Sequence, residues 1–161
     1  AERTTRLIAW FKENETARLK IFSDSTQDAK DANRKKEVSG RSRTSYYSDA
    51  AKAIFANDEN LDVRHCSQVR LDLFASKIER RIRDLRQAYS AENKKLGQTG
   101  MGMTYEELQS DPSKSNLLDS IFDSFPWWPD LHGFWRTNPG INTSPAVADL
   151  DQDLEQEALG L

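Results

Sequence analysis

The sequence predicts an all-α protein, and three observations carry that prediction. Apolar side chains between Gln68 and Lys95 recur at helical spacing, no segment alternates apolar and polar residues long enough to form a sheet, and glycines and prolines divide the chain into separate amphipathic segments. Within this class we predict a helix-turn-helix-like three-helix core with a long basic third helix, an extra C-terminal helix and an aromatic closing segment.

The first half of the chain contains two apolar helical segments. Leu7, Ile8, Phe11 and Phe22 predict a first helix from Thr5 to about Phe22. A polar and basic segment over 26–38 is predicted to be helical, and Ser39-Gly40 ends it. The second apolar helix is expected over Thr44–Ala56, followed by a loop from Asn57 to about Ser67.

The long third helix combines an apolar stripe with basic residues. The stripe consists of Phe74, Ile78, Ile82, Leu85 and Tyr89. Seven basic and three acidic residues between 77 and 95 give this stretch a net charge of +4. An ordinary solvated helix face would have the same pattern, whereas a DNA-binding helix would direct these cations towards phosphates.

Glycines and prolines delimit the remaining elements. Three glycines within 97–102 predict the end of the long helix, and Thr104 followed by Glu107 predicts a capping box for a short helix. Leu117–Phe125 is expected to form a further helix that Pro126 ends. Five aromatic residues in 125–135 are expected to pack mostly against the helices.

Composition and charge limit the interpretation further. The 161 residues carry a net charge of −3, and five acidic residues with no Lys or Arg lie in 144–161, which leaves 1–143 at +2. We therefore predict one domain over 1–143 and an acidic, flexible tail over 144–161. The tail could also form an amphipathic partner-binding helix or mask the basic helix. A start at Ala1 suggests a fragment of a longer protein.

The long helix resembles the third helix of Myb/SANT-like, or trihelix-type, DNA-binding domains. The similarity rests on Ile82-x-x-Leu85-x-x-x-Tyr89, with Ile82 where the family usually has Trp, and on the bulky residues of the two preceding helices. The segments Leu85–Gly102 and Phe125–Thr137 are similar to a fungal lineage associated with transcription or mobile elements. The resemblance implies double-stranded DNA as partner and a nuclear, intracellular location. It also leaves open a SANT-like protein-interaction module without direct DNA binding, with a homodimer as one form of it.

Two sets of basic residues are the candidate DNA contacts. Arginine and lysine on the solvent face of a recognition helix bind guanine edges or phosphates, and basic residues in the preceding connection would add sequence-independent phosphate contacts. The candidates are Lys77, Arg80, Arg81, Arg83 and Lys94 on the helix, and Arg34, Lys35, Arg41 and Arg43 before it.

Catalysis, metal binding and a cofactor are not expected. The two histidines and Cys66 lack zinc-ligand spacing, and the adjacent His65 and Cys66 are poorly placed as a catalytic pair. The glycines of 97–102 are not followed by the Lys-Ser/Thr of a phosphate-binding loop. A single cysteine excludes an intrachain disulfide, and no apolar run reaches the ~18 residues that span a bilayer.

Overall fold

The regular structure is helical, which confirms the all-α prediction. The computed structural model describes residues 1–22, 26–36, 40–138 and 140–142, and within these ranges it contains ten α-helices, one 3-10 helix and no strand. The α-helices are α1 (Glu2–Glu13), α2 (Glu15–Phe22), α3 (Thr26–Asp31), α4 (Arg43–Phe55), α5 (Leu61–Val69), α6 (Leu71–Lys94), α7 (Gly97–Gly102), α8 (Tyr105–Ser110), α9 (Ser115–Ser124) and α10 (Trp128–Trp135). The 3-10 turn is Pro112–Lys114.

The described residues form two compact units. The first comprises the described parts of 1–24 and 33–85, and the second comprises those of 25–32 and 86–142. The boundary falls within α6, after Leu85. The prediction of one domain over 1–143 stays a prediction, as does the helix-turn-helix core. The tail predicted over 144–161 lies outside the described residues.

Aromatic and aliphatic side chains of α1, α2 and α4 fill the core of the first unit. Phe11 and Phe22 pack with their ring centroids 4.7 Å apart. Ala50 and Ala51 are completely buried in α4, where small side chains allow neighbouring helices to approach closely. Phe55 at the end of α4 packs edge-on against Phe74 of α6, with centroids 4.8 Å apart.

The predicted first helix is wrong in one respect, because it is two helices. The helix breaks at Asn14, whose backbone adopts φ −118° and ψ 71°. The Trp10 carbonyl near the end of α1 accepts from both the backbone N–H and the side-chain amide of Asn14, each at 2.9 Å. Apolar residues on both sides of the break hid it from the sequence pattern.

The loop predicted over Asn57 to Ser67 is also wrong, because α5 occupies most of it. Asn60 caps α5 by accepting from the backbone N–H groups of Asp62 and Val63. Before the cap, the buried Asp58 carboxylate accepts from Arg3 at 2.7 and 2.9 Å and from Arg6 at 3.1 Å. These bonds attach α1 to the turn between α4 and α5.

The long helix is confirmed with shifted ends. It was predicted from about Gln68, but Arg70 with φ −121° and ψ 53° separates it from α5, so α6 begins at Leu71. The polar helix predicted over 26–38 extends only over Thr26–Asp31, and residues 37–39 lie outside the described ranges.

The predicted stop of the long helix is confirmed, because α6 ends at Lys94 and Gly97 adopts φ +72°. Gly97–Gly102 then forms a separate short helix, α7, which the sequence did not predict. A Cβ at Gly100 would lie 2.9 Å from the Leu96 Cβ, so glycine permits the close turn there. The Thr104–Glu107 capping box is present and starts α8, as predicted.

Candidate nucleic-acid interface

The apolar stripe of α6 fixes which side of this helix faces solvent. All five predicted stripe residues are buried: Phe74, Ile78, Ile82, Leu85 and Tyr89. Residues on the opposite side of a 3.6-residue helix must therefore project away from the core. The basic residues at 77, 80 and 83 lie on that outer side and are exposed.

We define the α6 basic face as Lys77, Arg80 and Arg83, which follow one another at intervals of three residues. Lys77 and Arg80 form no hydrogen bond or ion pair with any residue in the described part of the chain. Arg83 lies 4.0 Å from Glu79, and both of these side chains are more than half exposed. An exposed pair at that distance contributes little, so Arg83 can leave it for another anion.

Acidic residues limit the positive field around this face. Asp84 is exposed and lies four residues after Arg80, on the same side of the helix. Asp72 and Glu79 line a groove between α4 and α6 together with Thr44 and Ser48. A phosphate would therefore be repelled from the groove, and Asp84 would weaken its attraction to Arg80.

Arg81 has a different position from its predicted partners. Its side chain is half-buried, and its Nε donates to the Thr4 hydroxyl of α1 at 3.0 Å. Thr4 is itself buried. Arg81 therefore fastens α6 to α1, which the sequence could not reveal because the two residues are 77 positions apart.

Arg41 and Arg43 make contacts around the start of α4. Arg41 donates to Asp49 at 2.7 Å, and its guanidinium lies 4.4 Å from the centroid of the Tyr46 ring. The hydrogen bond to Asp49 raises the pKa of Arg41. Arg43 donates from Nε to the Lys20 carbonyl at 3.3 Å, which links α4 to the end of α2. Both side chains remain exposed.

Three predicted DNA contacts remain: Arg34, Lys35 and Lys94. Arg34 is half-buried and donates to the Lys35 carbonyl at 3.2 Å, whereas Lys35 is exposed. Lys94 is exposed at the C-terminal end of α6, in the second unit. Of the nine predicted residues, the structure thus brings Lys77, Arg80 and Arg83 onto one face.

The aromatic closing segment forms the core of the second unit. Trp128 and Trp135 are completely buried, which confirms the expected packing of most of this cluster. The His132 ring is stacked on Trp128 with centroids 4.4 Å apart. A buried aromatic segment is not available as a platform for stacking bases.

His132 is held as a neutral ring between two fixed partners. Its Nε2 lies 2.7 Å from the Met103 carbonyl, which can only accept, so Nε2 carries the proton. Its Nδ1 then accepts from the Tyr89 hydroxyl at 2.9 Å. Burial lowers the pKa of His132 to about 4 and raises the pKa of Tyr89. The arrangement makes His132 a structural histidine.

Two further observations concern other classes of site. The described ranges contain no group of three or more His, Cys, Asp or Glu residues that could hold a metal ion. No helix among the described residues is sufficiently long and apolar to cross a membrane.

Comparison with known proteins found no relative of this chain. No protein-family model, no curated protein and no solved structure matches this chain.

Proposed function

We propose that this chain is a DNA-binding module that contacts double-stranded DNA through the α6 basic face. The observation that carries the proposal is that Lys77 and Arg80 are exposed and have no partner among the described residues, on a helix whose opposite side is buried. The packed helix fixes the backbone positions of these cations, so binding phosphates needs only their side chains to become ordered. The Myb/SANT-like resemblance supports a nuclear role in transcription or in mobile elements, without catalysis.

The spacing of these cations suits a backbone contact. A helix rises 1.5 Å per residue, so the six steps from Lys77 to Arg83 cover about 9 Å along α6. Three cations over that length can reach neighbouring phosphates of one strand, and an arginine at the groove can also bind a guanine edge. Asp84 reduces the net charge of this side, so we expect binding in the micromolar range, dominated by phosphate contacts.

The other predicted basic residues take secondary roles in this proposal. Lys35 and Lys94 would bind phosphates electrostatically. Arg34, Arg41 and Arg43 would do so only in addition to their contacts within the chain. Arg81 supports the interface indirectly, because it fixes α6 on α1.

The test compares two triple variants with equal loss of charge. The first replaces Lys77, Arg80 and Arg83 by Ala, and the control replaces Lys12, Lys30 and Lys52, which are exposed on α1, α3 and α4. Fluorescence anisotropy with a random duplex at low salt should show binding weakened about tenfold or more for the first variant, a loss of at least ~1.4 kcal/mol. The control should retain most of the affinity. Equal weakening in both folded variants would show that only net charge matters and would reject this face.

A protein-interaction module is the second candidate, and a separate observation favours it. Leu61 and Val69 of α5 are 70% and 66% exposed. A contiguous exposed apolar patch marks a surface that contacts another protein, and Leu61 and Val69 would be two residues of such a patch. The buried tryptophans of the second unit, by contrast, do not offer such a surface.

A further inference from the structure

Helix α5 buries the small polar Ser67, while two of its three aliphatic side chains are exposed and the third, Val63, is half-buried. Ser67 is the buried residue of this helix, at 4% exposure, whereas Leu61 and Val69 are 70% and 66% exposed. A surface helix ordinarily places its large aliphatic side chains towards the core. This reversal gives α5 an apolar side with no partner in the described part of the chain.

The two exposed aliphatic residues lie on one side of α5 with the polar His65 between them. Leu61, His65 and Val69 are separated by intervals of four residues, so they lie along one side of the helix, and the exposed Cys66 lies beside them. We call Leu61, His65 and Val69 the α5 stripe. The opposite side is fixed, because the Arg64 guanidinium donates to the Asp58 carbonyl. The stripe is therefore held in place before any partner arrives.

The charges at the two ends of α5 indicate what the partner is. Asp62 lies in the first turn and Arg70 directly follows the last turn. Both side chains are exposed and neither forms an ion pair with a described residue. A helix with an acid at one end, a base at the other and the α5 stripe between them is complementary to itself when it is turned around.

We propose that two copies of this chain associate through α5, with the two helices antiparallel about a two-fold axis near His65 and Cys66. Leu61 of one copy packs on Val69 of the other, and Asp62 of each copy faces Arg70 of the other. A nine-residue helix is about 13 Å long, so the interface is small and the dimer is a weak, concentration-dependent one. The α6 basic face is not used in this contact.

Sedimentation equilibrium over a range of concentrations tests the association. The wild-type chain should be a reversible dimer, and replacing both Leu61 and Val69 by Ser should weaken association at least about tenfold. Ala53→Ser, at an exposed position of α4, is the matched control and should dimerise like the wild type. A wild-type chain that stays monomeric at high micromolar concentration overturns the proposal and leaves the stripe to a different protein. Unchanged association of the folded double variant overturns it as well.

A charge exchange tests the antiparallel pairing. Asp62→Arg alone and Arg70→Asp alone should each weaken the dimer, because like charges then meet, and the two changes together should restore it. Circular dichroism checks that each variant keeps its helical content. A double variant that associates no more strongly than the single ones contradicts this pairing.

Cys66 is the only cysteine, so a short bismaleimide reagent should link two wild-type copies at that position. Absence of linking at concentrations where the dimer forms would place the axis elsewhere and refute this arrangement.

Discussion

Replacing Asn142 by Ala should destabilise the second unit strongly. The Asn142 side chain is 1% exposed and makes three hydrogen bonds. Its Oδ1 accepts from the Asn93 amide at 2.9 Å, and its Nδ2 donates to the carbonyls of Met101 and Arg136 at 2.9 and 2.7 Å. These bonds join α6, α7 and the residue following α10.

The size of the effect follows from the number of bonds lost. A buried hydrogen bond contributes about 1 kcal/mol net, so three bonds correspond to about 3 kcal/mol of unfolding free energy. The buried Asn93 side chain would also lose its partner, so the loss of unfolding free energy should not be smaller than this sum. Because small domains have ~5–15 kcal/mol of total stability, the change should be easy to detect.

Urea unfolding followed by circular dichroism measures this loss. Asn116→Ala, at an exposed position in the first turn of α9, is the control and should change the unfolding free energy by less than ~0.5 kcal/mol. Asn142→Asp should be at least as harmful as Asn142→Ala, since a second oxygen would face two carbonyls. A loss below ~1 kcal/mol for Asn142→Ala would refute the reasoning, because the three bonds would then not exist together in solution.

Three further perturbations test other parts of the structure. The pKa of His132 is about 4 in the folded chain and 6.5 for an unperturbed histidine, so the unfolded chain binds more protons between these values. The free energy of unfolding should therefore fall by up to ~3 kcal/mol as pH drops from 6.5 to 4, and urea titrations of His132→Gln should lack that part of the loss. Asp58→Asn should clearly lower the thermal unfolding midpoint measured by calorimetry, because Arg3 lowers the pKa of this carboxylate and the ion pairs are present above its unfolded pKa. The control Glu59→Gln, at the exposed neighbouring position, should leave that midpoint nearly unchanged. Gly97→Ala should lower the free energy of unfolding by ~1 kcal/mol because the backbone φ of Gly97 is +72°, whereas Gly133→Ala, in open space within α10, should raise it by up to ~1 kcal/mol. Equal effects of the two changes in urea unfolding would contradict the positive φ at Gly97 and the helical conformation at Gly133.

Local sequence signals predicted the elements that local chemistry determines. The stripe of α6, the extent of α4 and the capping box at Thr104 all depend on residues a few positions apart, and the structure confirms them. The break at Asn14 and the helix at Leu61–Val69 escaped because their signals were ambiguous. Asn60 in a run of polar residues suggested a loop, although it is also a good N-cap, as the structure shows.

The candidate site shows the limit of sequence reasoning more directly. The spacing of Lys77, Arg80 and Arg83 was sufficient to place them opposite the apolar stripe. Nothing in the sequence could show that Arg81 binds Thr4, because that contact joins two distant helices. The exposed apolar side of α5 was likewise invisible, since Leu61 and Val69 in any helix would first be assigned to the core.

The most direct test of the DNA-binding account is the salt dependence of duplex binding by the wild-type chain and by the variant lacking Lys77, Arg80 and Arg83. Each phosphate contact contributes about 0.9 to the slope of log affinity against log salt, so removal of three contacts should reduce the slope by about 2.7. We expect micromolar binding at low salt, a steep loss with added salt, and that reduction in the variant. Absence of binding at low salt, or an unchanged slope in the folded variant, would contradict the account.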